Sequence, residues 1–391
     1  MKILILHNRY QMPGGEDVVV NTEKALLEAN GHNIAFLEVN NDHITNPIQK
    51  AQTAINAIYS LSSKKLVREK IDNFQPDIVH IHNFFPVFSP SVYYACKEAN
   101  VPVVQTLHNY RLLCSNYALF RDGKVCEDCL GKFVPWPSVV HGCYRGSRTG
   151  TAFVATMQFV HQTFQTWSRM VDQYITLTEF ARNKFIQGNF PESKLVVKPN
   201  FIYPDPGQGN GQGEYALFVS RLSFEKGIET LLKAWKQLGK KITLKIVGDG
   251  PLSTLVTQAV AQGLEVEWLG HRPSNEVHQL MGAAKFLVVC AEWYETFGLV
   301  AIEAFAKGTP VIASDIGAFA ELIRPYDNGL LFRPGDSNDL VAKVEWILNH
   351  SENLASMRRA ARAEFEAKYT AEKNYQMLMS IYEKVLSRHK Y

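Results

Sequence analysis

The sequence predicts an α/β protein made of two successive Rossmann-like domains, each built on a parallel sheet. Three observations predict it. Short β-branched runs alternate with longer amphipathic stretches, the pattern of βα units. The length, 391 residues, exceeds what one hydrophobic core usually supports. The alternation also stops near the middle of the chain at a segment rich in proline and glycine, then restarts.

Taken in order, the opening apolar run reads as a strand over residues 2–6. Further strands are predicted over 33–38, 77–82, 102–106, 173–177 and 195–198. Helices fall between them, including 18–30 and 64–74, and Gly31 stands just past the first, where a left-handed cap belongs. Residues 203–213 hold two prolines and four glycines, which makes them the linker, with a surface loop inside one domain as the other reading. The second half predicts strands over 215–219, 242–247, 266–269, 286–290, 310–313 and 330–332. Helices close the chain over 336–349 and 351–389, broken at Tyr369-Thr370, with Thr370 as N-cap of a final helix.

The expected organisation is therefore a first domain over 1–202 with an insertion at about 113–148, a linker over 203–213, a second domain over 214–370, and a C-terminal helix over 371–391. Two such domains joined by a flexible hinge form a cleft between the carboxyl ends of their strands, where open α/β sheets bind ligands.

Composition narrows the function. Hydrophobic content of 46% and charged content of 20% describe an ordinary globular protein. Forty-one basic residues against 38 acidic ones leave a formal charge of +3, which is no field for nucleic acid. The first residues are too few and too mixed for a signal peptide, and no 18-residue apolar run follows. The expectation is a cytoplasmic protein, with peripheral contact at the inner face of the cell membrane left open.

The strongest chemical signal runs from Ala291 to Pro310. An apolar strand ends at Cys290, a tight turn follows, and a helix begins near Gly298 and stops at Gly308-Thr-Pro310. The N–H groups of Phe297, Gly298 and Leu299 then form an anion site with the helix dipole behind them. Glu295 and Glu303 frame it. Carboxylates would repel phosphates there unless they face hydroxyl groups, as a sugar and a ribose supply; otherwise Glu303 is a solvated helical residue and Glu295 an N-terminal cap.

Upstream, the segment from Phe218 to Gly227 is again strand, loop and helix. Arg221 leaves the strand end, and Lys226 sits at a helix start, where a cation opposes the dipole. Neutralising a diphosphate supplies the reason, and a pair of surface cations is the plainer reading. In the first βα loop, Gly14-Gly15 precedes a helix and offers backbone amides to a phosphate, although it is not G-x-G-x-x-G.

Together these segments resemble family 4 of the retaining glycosyltransferases, which have the GT-B fold. The resemblance is carried by Glu295-x7-Glu303, by Ser220-Arg-Leu and Glu225-Lys-Gly227, by Gly248-Asp-Gly250 and by Gly14-Gly15, in the family's order and across nearly the whole chain. It implies two parallel sheets facing across a cleft, with the C-terminal helix returning to the first domain. It implies that Arg221 and Lys226 clamp the diphosphate of a nucleotide-sugar donor, helped by Gly15, Gly248 and the amides of Phe297, Gly298 and Leu299. Glu303 would bind ribose hydroxyls and Glu295 those of the transferred sugar. His108 matches the family histidine that contacts that sugar; as a lone histidine after a strand it would read as structural.

The same resemblance puts the nucleobase near Gly270-His271-Arg272, and Asn200 would shape the hinge. A UDP-sugar such as UDP-glucose is the expected donor, with GDP-mannose next, and a saccharide or lipid-linked acceptor in polysaccharide biosynthesis. The chain has no Asp-x-Asp motif, so no metal is expected at the donor phosphates, and Arg221, Lys226 and the helix dipole must stabilise the leaving charge. The alternatives are a sugar-nucleotide epimerase of the same fold, a non-catalytic nucleotide-sugar binding protein, and an oxidoreductase, the last disfavoured by the missing glycine fingerprint.

Two features fall outside this set. Cys114, Cys126, Cys129 and Cys143 have spacing that suits a structural zinc, with His141 as another fourth ligand, and equally suits buried thiols in a surface loop. Cys96 and Cys290 read as core. The stretch from Ser63 to Lys70 is a basic helical face, either solvated or turned to anionic lipid.

Overall fold

The computed structural model describes residues 1–9, 14–41 and 46–389. The first half comprises β1 (Lys2–Arg9), α1 (Gly15–Ala29), β2 (Asn33–Asn40), α2 (Pro47–Asn56), α3 (Leu61–Phe74), β3 (Ile78–Asn83), α4 (Ser91–Glu98), β4 (Val103–Thr106), the short strands β5 (Phe120–Arg121) and β6 (Lys124–Val125), α5 (Trp136–Val140), α6 (Arg148–Thr163), α7 (Thr166–Arg169), β7 (Gln173–Thr176), α8 (Glu179–Gln187) and β8 (Leu195–Val197). The second half comprises β9 (Tyr215–Val219), α9 (Ile228–Leu238), β10 (Thr243–Val247), α10 (Ser253–Ala261), β11 (Val266–Gly270), α11 (Ser274–Ala283), β12 (Phe286–Val289), α12 (Leu299–Ala306), β13 (Val311–Ser314), α13 (Ala318–Leu322), β14 (Gly329–Phe332), α14 (Ser337–Asn349), α15 (Leu354–Lys368) and α16 (Ala371–His389).

Packing divides the chain into two units. One holds Met1–Leu119, Cys126–Pro199 and the chain from Asn374 on; the other holds Phe120–Val125 and Asn200–Lys373. Each contains a six-stranded sheet, ordered β2-β1-β3-β4-β7-β8 in the first and β11-β10-β9-β12-β13-β14 in the second. All the pairings in both sheets are parallel. The α/β class with two parallel sheets is thus as expected, and it explains why β3, β4, β7, β12 and β13 are buried along their whole length: helices cover both faces.

The first unit closes with α16, which buries Asn374, Leu378, Ile381, Tyr382 and Val385. That spacing is one stripe of a helix, and it packs with Ile3, Ile5, Val20 and Ile78 in one core. Thr370 precedes the helix and its hydroxyl accepts from Lys373 N at 3.4 Å. In the second unit, α9 buries Ile228, Leu231, Ala234, Trp235 and Leu238 against β9, β10 and β12, and the Trp235 indole donates to Ile242 O at 3.1 Å.

The segment expected to be a flexible linker is held along the second unit. Gly209, Gly211 and Gly213 donate their amides to Lys307 O, Gly282 O and Ala283 O at 2.8–2.9 Å. A Cβ on Gly209 would stand 2.2 Å from the Gly282 backbone. Here glycine serves close approach of two backbones as much as freedom.

Candidate functional site

In the second unit the strand order reverses between β9 and β12, and ligands of such sheets bind at the carboxyl ends of the strands on either side of that reversal. The β9 loop carries Arg221 and Lys226, and the β12 loop carries Glu295. The two loops are bound together. Glu292 N donates to Glu225 O at 2.9 Å, and the Thr230 hydroxyl donates to Glu292 Oε1 at 2.7 Å. Gly227, at φ +67°, lies so close that a Cβ would meet Cys290 O at 1.9 Å. Only glycine permits that crossing.

Across this junction the Lys226 ammonium bonds the Glu295 carboxylate, which also accepts from the Trp293 indole at 3.0 Å. The ammonium lies 5.0 Å from the Trp293 ring centre, a cation–π distance. Arg221 is exposed, and no ion pair is found for it among the described residues. Ser220 O, beside it, is approached by Gly248, whose Cβ would stand 1.9 Å away at φ +127°. Gly248 N donates in turn to Gly270 O at 2.8 Å. The expected residues Arg221, Lys226, Gly248, Glu295 and Gly270 therefore lie on neighbouring loop ends. His271 and Arg272 follow Gly270 in exposed positions, with Arg272 3.6 Å from Glu276.

Gly298 caps α12 at φ +96°, and a Cβ there would strike the Phe319 ring at 2.5 Å. The first-turn amides of Leu299 and Val300 have no partner within the helix, whereas Ala301 N donates to Gly298 O at 3.0 Å, and Phe297 is buried just before them. Glu303 sits one turn later, and burial pushes its carboxyl up to about 7.

In the first unit the strand order reverses between β1 and β3. The expected Gly14-Gly15 loop begins α1 here, although its residues 10–13 lie outside those described. Gly14 N donates to Asp17 Oδ2 at 2.7 Å, and Asp17 Oδ1 lies 2.8 Å from His7 Nε2. Glu16 lies beside them, and its carboxyl is pushed up to about 8 by burial first and by Asp17 second.

His108 is not the isolated histidine that the sequence suggests. Its Nε2 lies 3.0 Å from His82 Nδ1, and the rings of His80, His82 and His108 stack in succession, with centroids 4.2 and 5.3 Å apart. Behind them is Glu23 of α1, with Oε1 3.2 Å from His80 Nδ1 and 3.3 Å from His82 Nε2. Its Oε2 accepts from Lys198 Nζ at 2.8 Å, and Lys198 also reaches Asn374 Oδ1 at 3.0 Å. Burial alone would raise the Glu23 carboxyl, but Lys198 first, then His80 and His82, hold it well below the carboxylate range. Burial lowers all three histidines. None of this cluster except His108 was singled out from the sequence. The alternation His80-x-His82, which puts both rings on one side of a strand end, was the available signal.

Two features outside the donor set had two readings each. No three of the described cysteine sulfurs come within 4.8 Å of one another, so the structure gives no support to a zinc site at Cys114, Cys126, Cys129 and Cys143 and agrees with the buried-thiol reading. Cys114 donates to Asn116 Oδ1 at 2.9 Å, and burial pushes the Cys129 thiol up to about 12. On α3, Lys64, Lys65 and Arg68 face Glu98, Glu69 and Asp72 at 2.6–3.8 Å, so its basic face is largely neutralised. No described helix is long and apolar enough to cross a membrane.

Known proteins match this arrangement. The profile of glycosyltransferase family 4 matches residues 14–205, and that of glycosyl transferases group 1 matches residues 204–364. An uncharacterized glycosyltransferase of Methanocaldococcus jannaschii is 28% identical over 216 residues, 55% of this chain and 60% of the relative. The chain spans 58–60% of the length of this and other curated relatives that it matches. Anabaena HepE in complex with UDP superposes with a TM-score of 0.69 at 19% identity, covering 98% of this chain and 100% of that one. Sucrose-phosphate synthase from Thermosynechococcus elongatus gives 0.74 at 16% identity, covering 99% of each. At these identities the superpositions bear on the fold.

Proposed function

Because the chain belongs to family 4 of the glycosyltransferases and carries their GT-B fold, we propose that it is a retaining hexosyltransferase. It moves a hexose from a nucleotide-diphosphate sugar, a UDP-sugar such as UDP-glucose first and GDP-mannose next, to a saccharide or lipid-linked acceptor in polysaccharide assembly at the cytoplasmic face of the membrane. The observation that carries this reading is the Lys226–Glu295 pair between the β9 and β12 loops. It supports the reading because, on this account, the ammonium serves the diphosphate and the adjoining carboxylate the sugar hydroxyls, four residues before α12 begins. The UDP in the HepE structure supports a uridine donor.

In this account the bond from the anomeric carbon to the donor phosphate oxygen breaks first. Positive charge gathers on the sugar ring and negative charge on the departing diphosphate. Arg221, Lys226 and the α12 amides receive the negative charge without a metal. The acceptor hydroxyl attacks the face that the diphosphate leaves, and its proton passes to the leaving phosphate oxygen. Glu303 holds the ribose and His108 a hydroxyl of the transferred sugar.

Titration calorimetry with a panel of UDP- and GDP-sugars, with and without EDTA, tests the donor site. Binding of one UDP-sugar that survives the chelator is expected, and loss of binding in EDTA overturns the metal-free account. The anomeric configuration of the product, read by NMR, tests retention. Donor conversion without any acceptor would instead make the chain an epimerase.

A further inference from the structure

We propose that Phe133, Trp136, Val140 and Phe159, with Lys132 and Arg148 beside them, form a face on α5 and α6 that docks on an anionic lipid surface. Its purpose rests on the lipid-linked acceptor of the proposed function; the surface itself lies within the first unit.

The fold leaves large apolar side chains uncovered here. Phe133 is 54% exposed, Trp136 58% and Val140 50%, and Phe159 is exposed as well. Trp136 and Val140 are one turn apart on α5, so they share a side of it. Phe133 meets Phe159 edge to face, with ring centroids 5.5 Å apart. Val140 O accepts from Arg148 Nε at 3.1 Å. Arg148, Ala152, Thr156, Phe159 and Thr163 then follow at intervals of three or four, the outer stripe of α6. These contacts join the exposed groups into one patch. Apolar residues scattered singly over a surface are ordinary, whereas a joined patch marks a place of contact.

Charge says what covers it. In the whole chain 38 of 391 residues are acidic, yet from Cys129 to Val171 there is no aspartate or glutamate. The same stretch holds Lys132, Arg145, Arg148 and Arg169, all of them exposed. None of the four is in an ion pair among the described residues. The amides of Gln158, Gln162 and Asn189 line the pocket beside Lys132 and Phe133, and they leave the ammonium unneutralised. On α3, by contrast, each of Lys64, Lys65 and Arg68 faces a carboxylate.

An anionic bilayer meets both requirements. Its headgroups supply the negative charge that this stretch lacks, and the boundary below them takes aromatic rings, tryptophan above all. A second copy of the chain does not fit, because two identical patches would set their unpaired cations against one another. A soluble polyanion would pair with the cations and leave the rings in water.

Of the six tryptophans, Trp136 alone is exposed, so the face carries its own optical probe. The full chain, without donor or acceptor, is sedimented with vesicles of phosphatidylcholine alone and of phosphatidylcholine mixed with phosphatidylglycerol. Binding to the mixture should be at least roughly tenfold tighter, since each cation near an anionic surface contributes about fivefold. Brominated acyl chains in the mixture should quench the tryptophan emission of the wild type. Trp136→Phe, which keeps an aromatic ring, should still bind and should lose that quenching. Lys132→Glu should weaken binding roughly tenfold or more, and Phe133→Ser about tenfold. Lys65→Glu on α3 should leave it nearly unchanged.

A wild-type chain that ignores anionic vesicles overturns the proposal, and that measurement needs no variant to fold. Quenching that persists in Trp136→Phe overturns it too, as does an equal loss of binding in Lys65→Glu. A dimer in sedimentation velocity that Trp136→Ser separates would assign the face to a second copy instead. Vesicle binding by a chain that transfers no sugar counts against the transferase reading alone. Sugar transfer to a soluble acceptor by a chain that ignores vesicles counts against this surface alone.

Discussion

Lys226 and Glu295, 69 residues apart, are bonded to each other, and the same carboxylate oxygen accepts the Trp293 indole hydrogen. The proposed diphosphate cation thus lies against the proposed sugar carboxylate. In the proposed function a donor diphosphate would draw the ammonium away, and the sugar hydroxyls would take its place at Glu295. Glu295 and the diphosphate would compete for one ammonium, so the Lys226 and Glu295 variants should behave oppositely toward nucleotide.

Lys226→Ala is expected to raise the dissociation constant for UDP at least tenfold, equivalent to about 1.4 kcal/mol. Arg221→Ala should do the same, since its guanidinium has no competing carboxylate in the described structure. Glu295→Ala should leave UDP binding unchanged or tighter while transfer falls by roughly two orders of magnitude. Calorimetry with UDP and a transfer assay on the same preparations check this. Weaker UDP binding in Glu295→Ala would mean that the pair is structural.

Much of this site was legible in the sequence because it is local. The Arg221–Lys226 loop and the Glu295–Glu303 turn each follow one strand, and parallel βα units place the ends of neighbouring strands together. The strand expected over 215–219 is β9, Tyr215–Val219. What was not legible is what tertiary packing decides. Glu23, His82, His108 and Lys198 meet only because β1, β3, β4 and β8 share one sheet and α1 covers it. Strands buried on both faces give no alternation to show which side a histidine takes. The glycines at 209, 211 and 213 look the same in sequence whether they lend slack or allow close approach. The cysteine spacing suited zinc, but thiols bonded to nearby oxygens satisfy it as well.

Glu303 predicts a pH dependence for donor binding. Its carboxyl is raised to about 7 by burial. In the proposed ribose-binding role the ionised form would accept from two ribose hydroxyls, and the acid form would give up one acceptor. Affinity for a UDP-sugar should therefore fall as pH drops below about 7. A UDP-sugar rather than UDP is the right probe, because its diphosphate is a diester with no ionisation near neutrality. Calorimetry between pH 6 and 8.5 should show the loss in the wild type and none in Glu303→Gln. A flat wild-type profile removes Glu303 from the ribose.

Stability should also fall in acid. His80, His82 and His108 are lowered in the folded state by burial, whereas the unfolded chain has histidine values near 6.5. A lowered histidine contributes stability that is present above the unfolded value and lost as pH falls toward the folded one. Below about pH 6.5, each such group should cost about 1.4 kcal/mol per pH unit. Glu23, also lowered, acts in the same direction below about pH 4.5. Denaturant unfolding at pH 7.5, 6.5 and 5.5 should give steadily lower midpoints. Constant midpoints would mean that the histidines are charged or solvated.

Two glycines test whether the loop crossings hold the donor site together. Gly248 has φ +127°, and a Cβ would meet Ser220 O at 1.9 Å; Gly239 has φ +61° with nothing within 4 Å. Both substitutions by alanine strain the backbone, but only the first also forces two chains apart. Gly239→Ala should cost about 1–2 kcal/mol and leave UDP binding intact. Gly248→Ala should cost about 2–4 kcal/mol and weaken UDP binding as well, because the displaced Ser220 carries Arg221 with it. Paired unfolding and calorimetry measurements read both quantities. Equal effects of the two variants on UDP affinity would show that the crossing of the β9 and β10 loops does not position the guanidinium.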